Sequence, residues 1–302
     1  MARTIPEVSV VIPAYNAADF IREQLDALLS GTFLPGEIVV SDNGSTDTTA
    51  SLVQSYGDSV VPVRVVDSSS RQGVSYARNK GAEKANGKKL LICDADDVVD
   101  SRWVEQMSLH LDSCDLVGSG YQHLVRQANG DYTLGHLFVN QPEVFDGRRY
   151  LLGATIGFRR DVFESLHGFD MSYRGGHDEV DFCLRASAHG YTQGWIPEPL
   201  ILYRQRPSHK GLAQQSRNYG RTWIQLAQNF SPVYDHHIPS LKLMIRKVVP
   251  QVPGMLLKKQ MSWEELRGFY WNVGRLEGVI KYRVFRRTPQ RNLHSSVPDS
   301  PR

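Results

Sequence analysis

Two acidic clusters about fifty residues apart hold the side chains best suited to chemistry. Asp42-Asn43-Gly44-Ser45-Thr46-Asp47 follows the apolar run Glu37-Ile38-Val39-Val40, and Asp94-Ala95-Asp96-Asp97 follows Lys89-Leu90-Leu91-Ile92-Cys93. An apolar run of four or five residues that ends in carboxylates reads as a buried parallel strand whose C-terminal end opens into a polar crevice. Open α/β sheets take their ligands at that edge. Carboxylates gathered there repel one another unless a cation joins them, and hard ions with oxygen ligands suit such a set. Alternation along an extended chain places Asp94 and Asp96 on one side. Asp47, just ahead of an expected helix, reads more readily as its N-cap.

The elements that must position these groups follow from periodicity. Residues 7–12 read as a first strand stopped by Pro13, with an amphipathic helix over 19–29. Residues 37–40, 63–66 and 89–93 continue the strands, and helices follow at 47–53 and 75–85. This alternation predicts a mostly parallel α/β sheet flanked by helices, with right-handed crossovers. Beyond residue 100 the pattern loosens. A helix is expected over 103–111, a strand over 115–121, a hairpin around Asn129-Gly130, a helix over 178–188, a short strand over 197–203 and a long helix over 208–229. Four prolines from 232 to 253 interrupt the periodicity around a helical pair at 241–249 and 263–285. The expected division is a domain over 1–235, with halves 1–100 and 101–235, a basic helical extension over 236–285 and a disordered tail over 286–302.

Composition excludes several classes. With 41% hydrophobic and 22% charged residues, the 302-residue chain can bury an ordinary globular core. No stretch is apolar enough to span a bilayer and no signal-peptide pattern opens the chain, so the expected address is cytoplasmic. Cys93, Cys114 and Cys183 form neither a disulfide framework nor a zinc pattern and read as core residues. The net charge of +3 is uneven: from Lys242 onward thirteen Lys/Arg face four Asp/Glu. That segment suits either helices packed with solvated basic faces or helices lying on the inner face of an anionic membrane. No reader motif accompanies the charge, which argues against nucleic acid as a partner.

Five motifs in order, Pro13-Ala14-Tyr15-Asn16, Ser41 to Asp47, Gly73 with Ala77-Arg78-Asn79-Lys80-Gly81, Asp94 to Asp97 and Asp178-Glu179-Val180-Asp181-Phe182, resemble the family 2 glycosyltransferases with a GT-A fold. The resemblance spans about two thirds of the chain. It implies an inverting transfer of a sugar from a nucleoside diphosphate donor, with UDP as the leading carrier, to a hydroxyl of a saccharide or lipid-linked acceptor, assisted by Mg²⁺ or Mn²⁺. It assigns Asp42 to the base, where a carboxylate can accept an imide N–H, and Asp94 to the ribose. Asp96 becomes the ligand of the metal that bridges the phosphates. Pro13, Ala14, Tyr15, Asn16 and Ala95 would line the nucleoside, and Arg71 and Arg78 could meet the diphosphate or pair with the acidic cluster. The family usually shows Glu then Asp where this chain has Asp178 then Glu179, so both are candidates for the base that takes the acceptor proton, with Glu179 ranked first by position. A histidine ligand found near Arg206 in some members has a counterpart here in His209, or Arg206 itself assists the diphosphate. His177 could contact either substrate, although a lone histidine is more often structural.

Two other functions share parts of this pattern. A nucleotidyltransferase that makes sugar nucleotides would use the same sheet, aspartates and metal, but it usually carries a Gly-rich basic loop after the first strand, which Pro13-Ala14-Tyr15-Asn16 lacks. A nucleotide-sugar-binding subunit without catalysis is supported only by the exchanged order of Asp178 and Glu179.

Overall fold

The computed structural model describes residues 3–127, 129–205, 208–253 and 262–294. The chain divides into two compact units, one of Met1–Met171, Glu179–Gln205 and Leu293–Arg302, the other of Ser172–Asp178 and Arg206–Asn292. The first unit runs β1 (Arg3–Ala14), α1 (Ile21–Leu29), β2 (Phe33–Asp42), α2 (Thr49–Gln54), β3 (Val63–Asp67), α3 (Val74–Lys84), β4 (Lys89–Cys93), β5 (Val98–Val99) and α4 (Trp103–His110). It continues with β6 (Leu116–Arg126), β7 (Tyr132–Phe138), β8 (Glu143–Val144), β9 (Arg148–Arg149), β10 (Thr155–Arg159), α5 (Arg160–Ser165), α6 (Asp178–Ala188) and β11 (Gln193–Arg204). The second unit carries α7 (His209–Asn229), α8 (Leu241–Val248) and α9 (Trp263–Val279).

The main sheet has the order β3-β2-β1-β4-β10-β6-β11-β5, with β7 paired to β6. Strands β3, β2, β1 and β4 are parallel, and β10 runs antiparallel between β4 and β6. Alternation sends successive residues to opposite faces. Val10, Ile12, Ile38, Val40, Leu91 and Cys93 pack with Ile21, Leu25, Trp103 and Met107 on one side. On the other, Val11, Val39, Leu90 and Ile92 pack with Ala82, Val162, Phe163 and Phe182. Both faces are covered, so the parallel strands read as unbroken apolar runs.

Several elements differ from the sequence expectation. β10 was not foreseen: five residues in an irregular stretch carry no length or turn signal, yet they form a central strand. β11 extends to twelve residues because its prolines sit at a ladder irregularity, with register shifts on both sides of Pro199. The expected boundary at 235/236 differs from the observed division at Gln205/Arg206, since α7 packs along α9. The segment 286–302, expected to be disordered, is described as far as His294, whose N–H donates to His167 O at 2.8 Å and whose ring lies 6.0 Å from Phe163. These contacts supply the packing its composition did not advertise, and residues 295–302 lie outside the described residues.

Within the second unit, Ile224, Met244, Val279 and Tyr282 form a buried cluster. Ser208, Ser240 and Ser262 cap α7, α8 and α9, the last through a reciprocal capping box with Glu265.

Candidate active site

Pairing register brings the first group of candidates to one edge. Ala14 at the end of β1 stands opposite Asp42 at the end of β2, which stands opposite Asp67 at the end of β3. Val11 pairs with Ile92, so Asp94 follows β4 level with Pro13. The loops beyond are tied by side chains. Asn16, at φ +48°, accepts from Thr46 N–H at 2.8 Å, and its own N–H donates to Ser45 Oγ at 2.9 Å. Asp42 Oδ1 accepts from Ser45 N–H at 3.1 Å and from Ser45 Oγ at 2.5 Å. Asp47 accepts from Thr49 and from Ala18 N–H, so it fixes two loops. Tyr15 is 54% exposed and is therefore not a core aromatic.

Asn43, which the sequence did not single out, is buried beneath this edge. Its amide donates to Arg71 O at 2.8 Å and to Ser68 O, and its Oδ1 accepts from Gly73 N–H at 2.7 Å. It holds the β3–α3 loop against the end of β2. From that loop Arg71 reaches Met171 O at 3.3 Å. Arg78, on α3, donates to Asp94 Oδ1 at 3.2 Å, and its buried guanidinium lies 5.8 Å over Phe169. The pairing of an arginine with the acidic cluster was one of the two sequence expectations for this residue. Gly153 makes the arrangement possible, because a Cβ there would lie 2.5 Å from the Arg78 guanidinium.

The Asp94-Ala95-Asp96-Asp97 turn is held by its backbone from two directions. Gln24, buried on α1, donates to Asp94 O at 3.1 Å and accepts from Val99 N–H at 3.0 Å. Arg204, at the end of β11, donates Nε–H to Asp96 O at 2.8 Å and pairs with Glu23 at 2.7 Å. Its guanidinium also lies over the rings of Phe20 and Tyr132, at 4.9 and 4.3 Å. Arg204 N–H donates to Asp97 Oδ1 at 2.8 Å, while Asp97 Oδ2 is buried with no hydrogen-bond partner among the described residues. Burial, and after it the charges of Asp94 and Asp96, push the Asp97 carboxyl well above the usual carboxylate range. Asp94 and Asp96 are half-buried and Ala95 is buried.

The third acidic group opens α6. Asp178 is buried, and Glu179 is half-buried one residue later. Asp181 is fully buried and pairs at 2.7 Å with Arg185, one helical turn later. Arg185 also donates to Leu166 O and Gly168 O, so this pair anchors a loop. In the second unit, Gly175, Gly176 and His177 all have positive φ, and the Gly176 Cα packs against the Tyr219 ring where any Cβ would collide. His177 Nδ1 lies 2.8 Å from Thr222 Oγ1 among Tyr219, Trp223 and Trp271. Burial lowers its pKa to about 4 against the pull of Asp178, so the ring is neutral at pH 7. His209, the first residue of α7, stacks on Trp263 at 4.1 Å. Arg206 lies outside the described residues.

The sequence matches the profile of Glycosyl transferase family 2 over residues 9–167, more than half the chain. The chain is a family 2 glycosyltransferase. This glycosyltransferase is 28% identical over 232 residues to glycosyltransferase AglE of Haloferax volcanii, covering 75% of this chain and 76% of that protein. In fold it resembles the mannosyltransferase PcManGT from Pyrobaculum calidifontis, solved in complex with GDP-Man and Mn²⁺. That match has a TM-score of 0.61 and 17% identity, and it covers 90% of this chain and 87% of the other. It also resembles TarS 1-349 of S. aureus in complex with UDP-GlcNAc, with a TM-score of 0.55, 17% identity and 92% of each chain covered. At those identities the two structures establish the GT-A fold of the transferase and nothing finer.

Proposed function

We propose that this glycosyltransferase moves a hexosyl unit, with inversion, from a nucleoside diphosphate sugar carried on UDP to a hydroxyl of a saccharide or lipid-linked acceptor. The observation that carries this reading is the clamped Asp94-to-Asp97 turn facing Arg78. Three carboxylates in four residues, one of them with a buried oxygen that lacks a partner among the described residues, fit a hard divalent cation. Mg²⁺ or Mn²⁺, held by Asp96, would neutralise charge on the leaving diphosphate. Complexes of PcManGT with GDP-Man and Mn²⁺ and of TarS with UDP-GlcNAc support a nucleotide-sugar donor.

The chain's own groups then take these roles. Pro13, Ala14, Tyr15, Asn16 and Ala95 line the nucleoside. Asp42 Oδ2 accepts the imide N–H of the base while Oδ1 stays on Ser45. Asp94 holds the ribose, and Arg78 and Arg71 stand on the diphosphate side. Glu179, less buried than Asp178, takes the acceptor proton as the oxygen attacks, and Asp178 is the alternative base. The proposed setting is cytoplasmic, peripheral at the inner face of the membrane.

The test is thermal unfolding against UDP, GDP, TDP, CMP and ATP, each with and without Mn²⁺ or Mg²⁺. A ligand at about a hundred times its Kd adds about 2.7 kcal/mol. A metal-dependent rise with UDP that Asp96→Asn abolishes supports the reading. A rise with another diphosphate corrects the carrier, and no metal-dependent rise with any of them refutes the site. Glu179→Gln and Asp178→Asn, each assayed for transfer with donor binding intact, decide the base.

A further inference from the structure

The second unit carries a surface that the transfer reaction does not use. From His236 to Trp263 the chain has no acidic residue and five Lys/Arg. Within this run α8 buries Val248 and Met244, the latter in a cluster with Ile224, Val279 and Tyr282. Its remaining residues divide into two kinds. Lys242, Arg246 and Lys247 are exposed and make no ion pair among the described residues. Between and beside them Leu243, Ile245 and Val249 are also exposed, at 44%, 43% and 56%. At a helical step of about 100° per residue, Leu243 falls between Arg246 and Lys247 on the outward side.

We infer that this outward face of α8 docks on the surface of an anionic lipid bilayer. Exposed aliphatic side chains gain free energy by leaving water for the acyl boundary, while the flanking cations meet lipid phosphates. Charge complementarity selects the occupant: a face without any acid, with cations interleaved among aliphatic residues, fits a surface that is both negative and apolar beneath. No described helix is long and apolar enough to cross a membrane, so the contact is peripheral. The packed and the membrane readings of this segment thus apply to different residues, Met244 and Val248 to the first, Leu243, Ile245 and Val249 to the second. Leu256 and Leu257 lie outside the described residues. The inference does not rest on the proposed catalysis, because no donor enters its test.

The experiment is co-sedimentation of the full chain with phosphatidylcholine vesicles, with and without phosphatidylglycerol, at low and high salt. The expected result is binding only to the anionic vesicles, released by salt. Combined Lys242→Gln, Arg246→Gln and Lys247→Gln substitution lowers the partition coefficient on the order of a hundredfold, since each cation near an anionic surface contributes about fivefold. Leu243→Ser alone lowers it on the order of tenfold through lost apolar burial. An unchanged melting temperature shows that both variants fold. Equal binding to neutral vesicles, no binding to anionic ones, or an unaffected triple variant overturns the inference. So does a dimer in solution that the triple variant dissociates, which would make a second copy the occupant.

Discussion

Replacing Gly153 by alanine tests whether backbone without a side chain is what seats Arg78 on Asp94. A Cβ at this position would lie 2.5, 2.7 and 2.8 Å from the three nearest guanidinium atoms, and ordinary contact begins near 3.4 Å. The guanidinium must therefore retreat by roughly 0.9 Å, the gap between those distances. Its contact with Asp94 is already 3.2 Å long and does not survive such a shift unless Asp94 follows. The fold itself tolerates the change, because the obstructing atoms are the far end of a side chain and Gly153 is not in a left-handed conformation. A charge-assisted hydrogen bond is worth about 1.5–3 kcal/mol, and the partial exposure of Asp94 places this one near the lower end. The expected outcome is a nucleoside diphosphate Kd raised about tenfold, the equivalent of about 1.4 kcal/mol, measured by calorimetry with metal present. The decisive comparison repeats the substitution in an Arg78→Ala background, where it should add almost nothing. An equal loss in both backgrounds, or none in either, refutes the reasoning.

Three other expectations concern groups that hold the site. Arg204→Met removes a charge-assisted bond to Asp96 O and two cation–π contacts. It should cost about 3 kcal/mol in urea unfolding and weaken metal-dependent nucleotide binding as well; lost stability with unchanged metal affinity would show that the turn does not need the clamp. Asp181→Asn strands a buried guanidinium and should cost about 3–5 kcal/mol, with Asp181→Asn/Arg185→Met milder than Asp181→Asn alone; a milder single variant contradicts this. Burial holds the His177 pKa at about 4, below its ordinary 6.5. As pH falls the unfolded chain binds the proton first, so stability is present above 6.5 and drains away toward 4, by about 3 kcal/mol at the lower end. His177→Asn, which suits the positive φ, should remove that part of the acid dependence, and a superimposable pH–stability curve for the variant would count against it.

What the sequence reveals is set by distance along the chain. Asp42 and Asp94 were readable because each closes an apolar run, and a parallel sheet sends such ends to one edge. The helix over 178–188 was readable because its apolar residues recur at helical spacing, and the Asp181–Arg185 pair lies one turn apart on it. Gln24, Asn43, Gly153 and Arg204 were not. Each acts across 25 to 181 residues, from the bond of Asn43 to Ser68 O to the pair of Arg204 with Glu23, and neither end carries a local pattern. β10 was missed for a related reason. Its place between β4 and β6 is decided by tertiary pairing, which overrides the weak strand preference of five residues. Asp178 and Glu179 were nominated by resemblance, and the contrast between a buried first and a half-buried second carboxylate entered only with the fold.

The long reach of Arg204 has a consequence for biosynthesis. Glu23 and Arg204, which meet beside the acidic turn, are 181 positions apart. A nascent chain presents all of β1 to β4, and with them every carboxylate of that turn, well before β11 leaves the ribosome. During that interval the turn has Gln24 to hold it but not Arg204, and Asp97 lacks the N–H that its Oδ1 accepts. Contacts of such separation form late in folding. The cation site proposed above should therefore mark completed chains: a product truncated before residue 193 would carry the whole acidic motif yet bind a cation poorly.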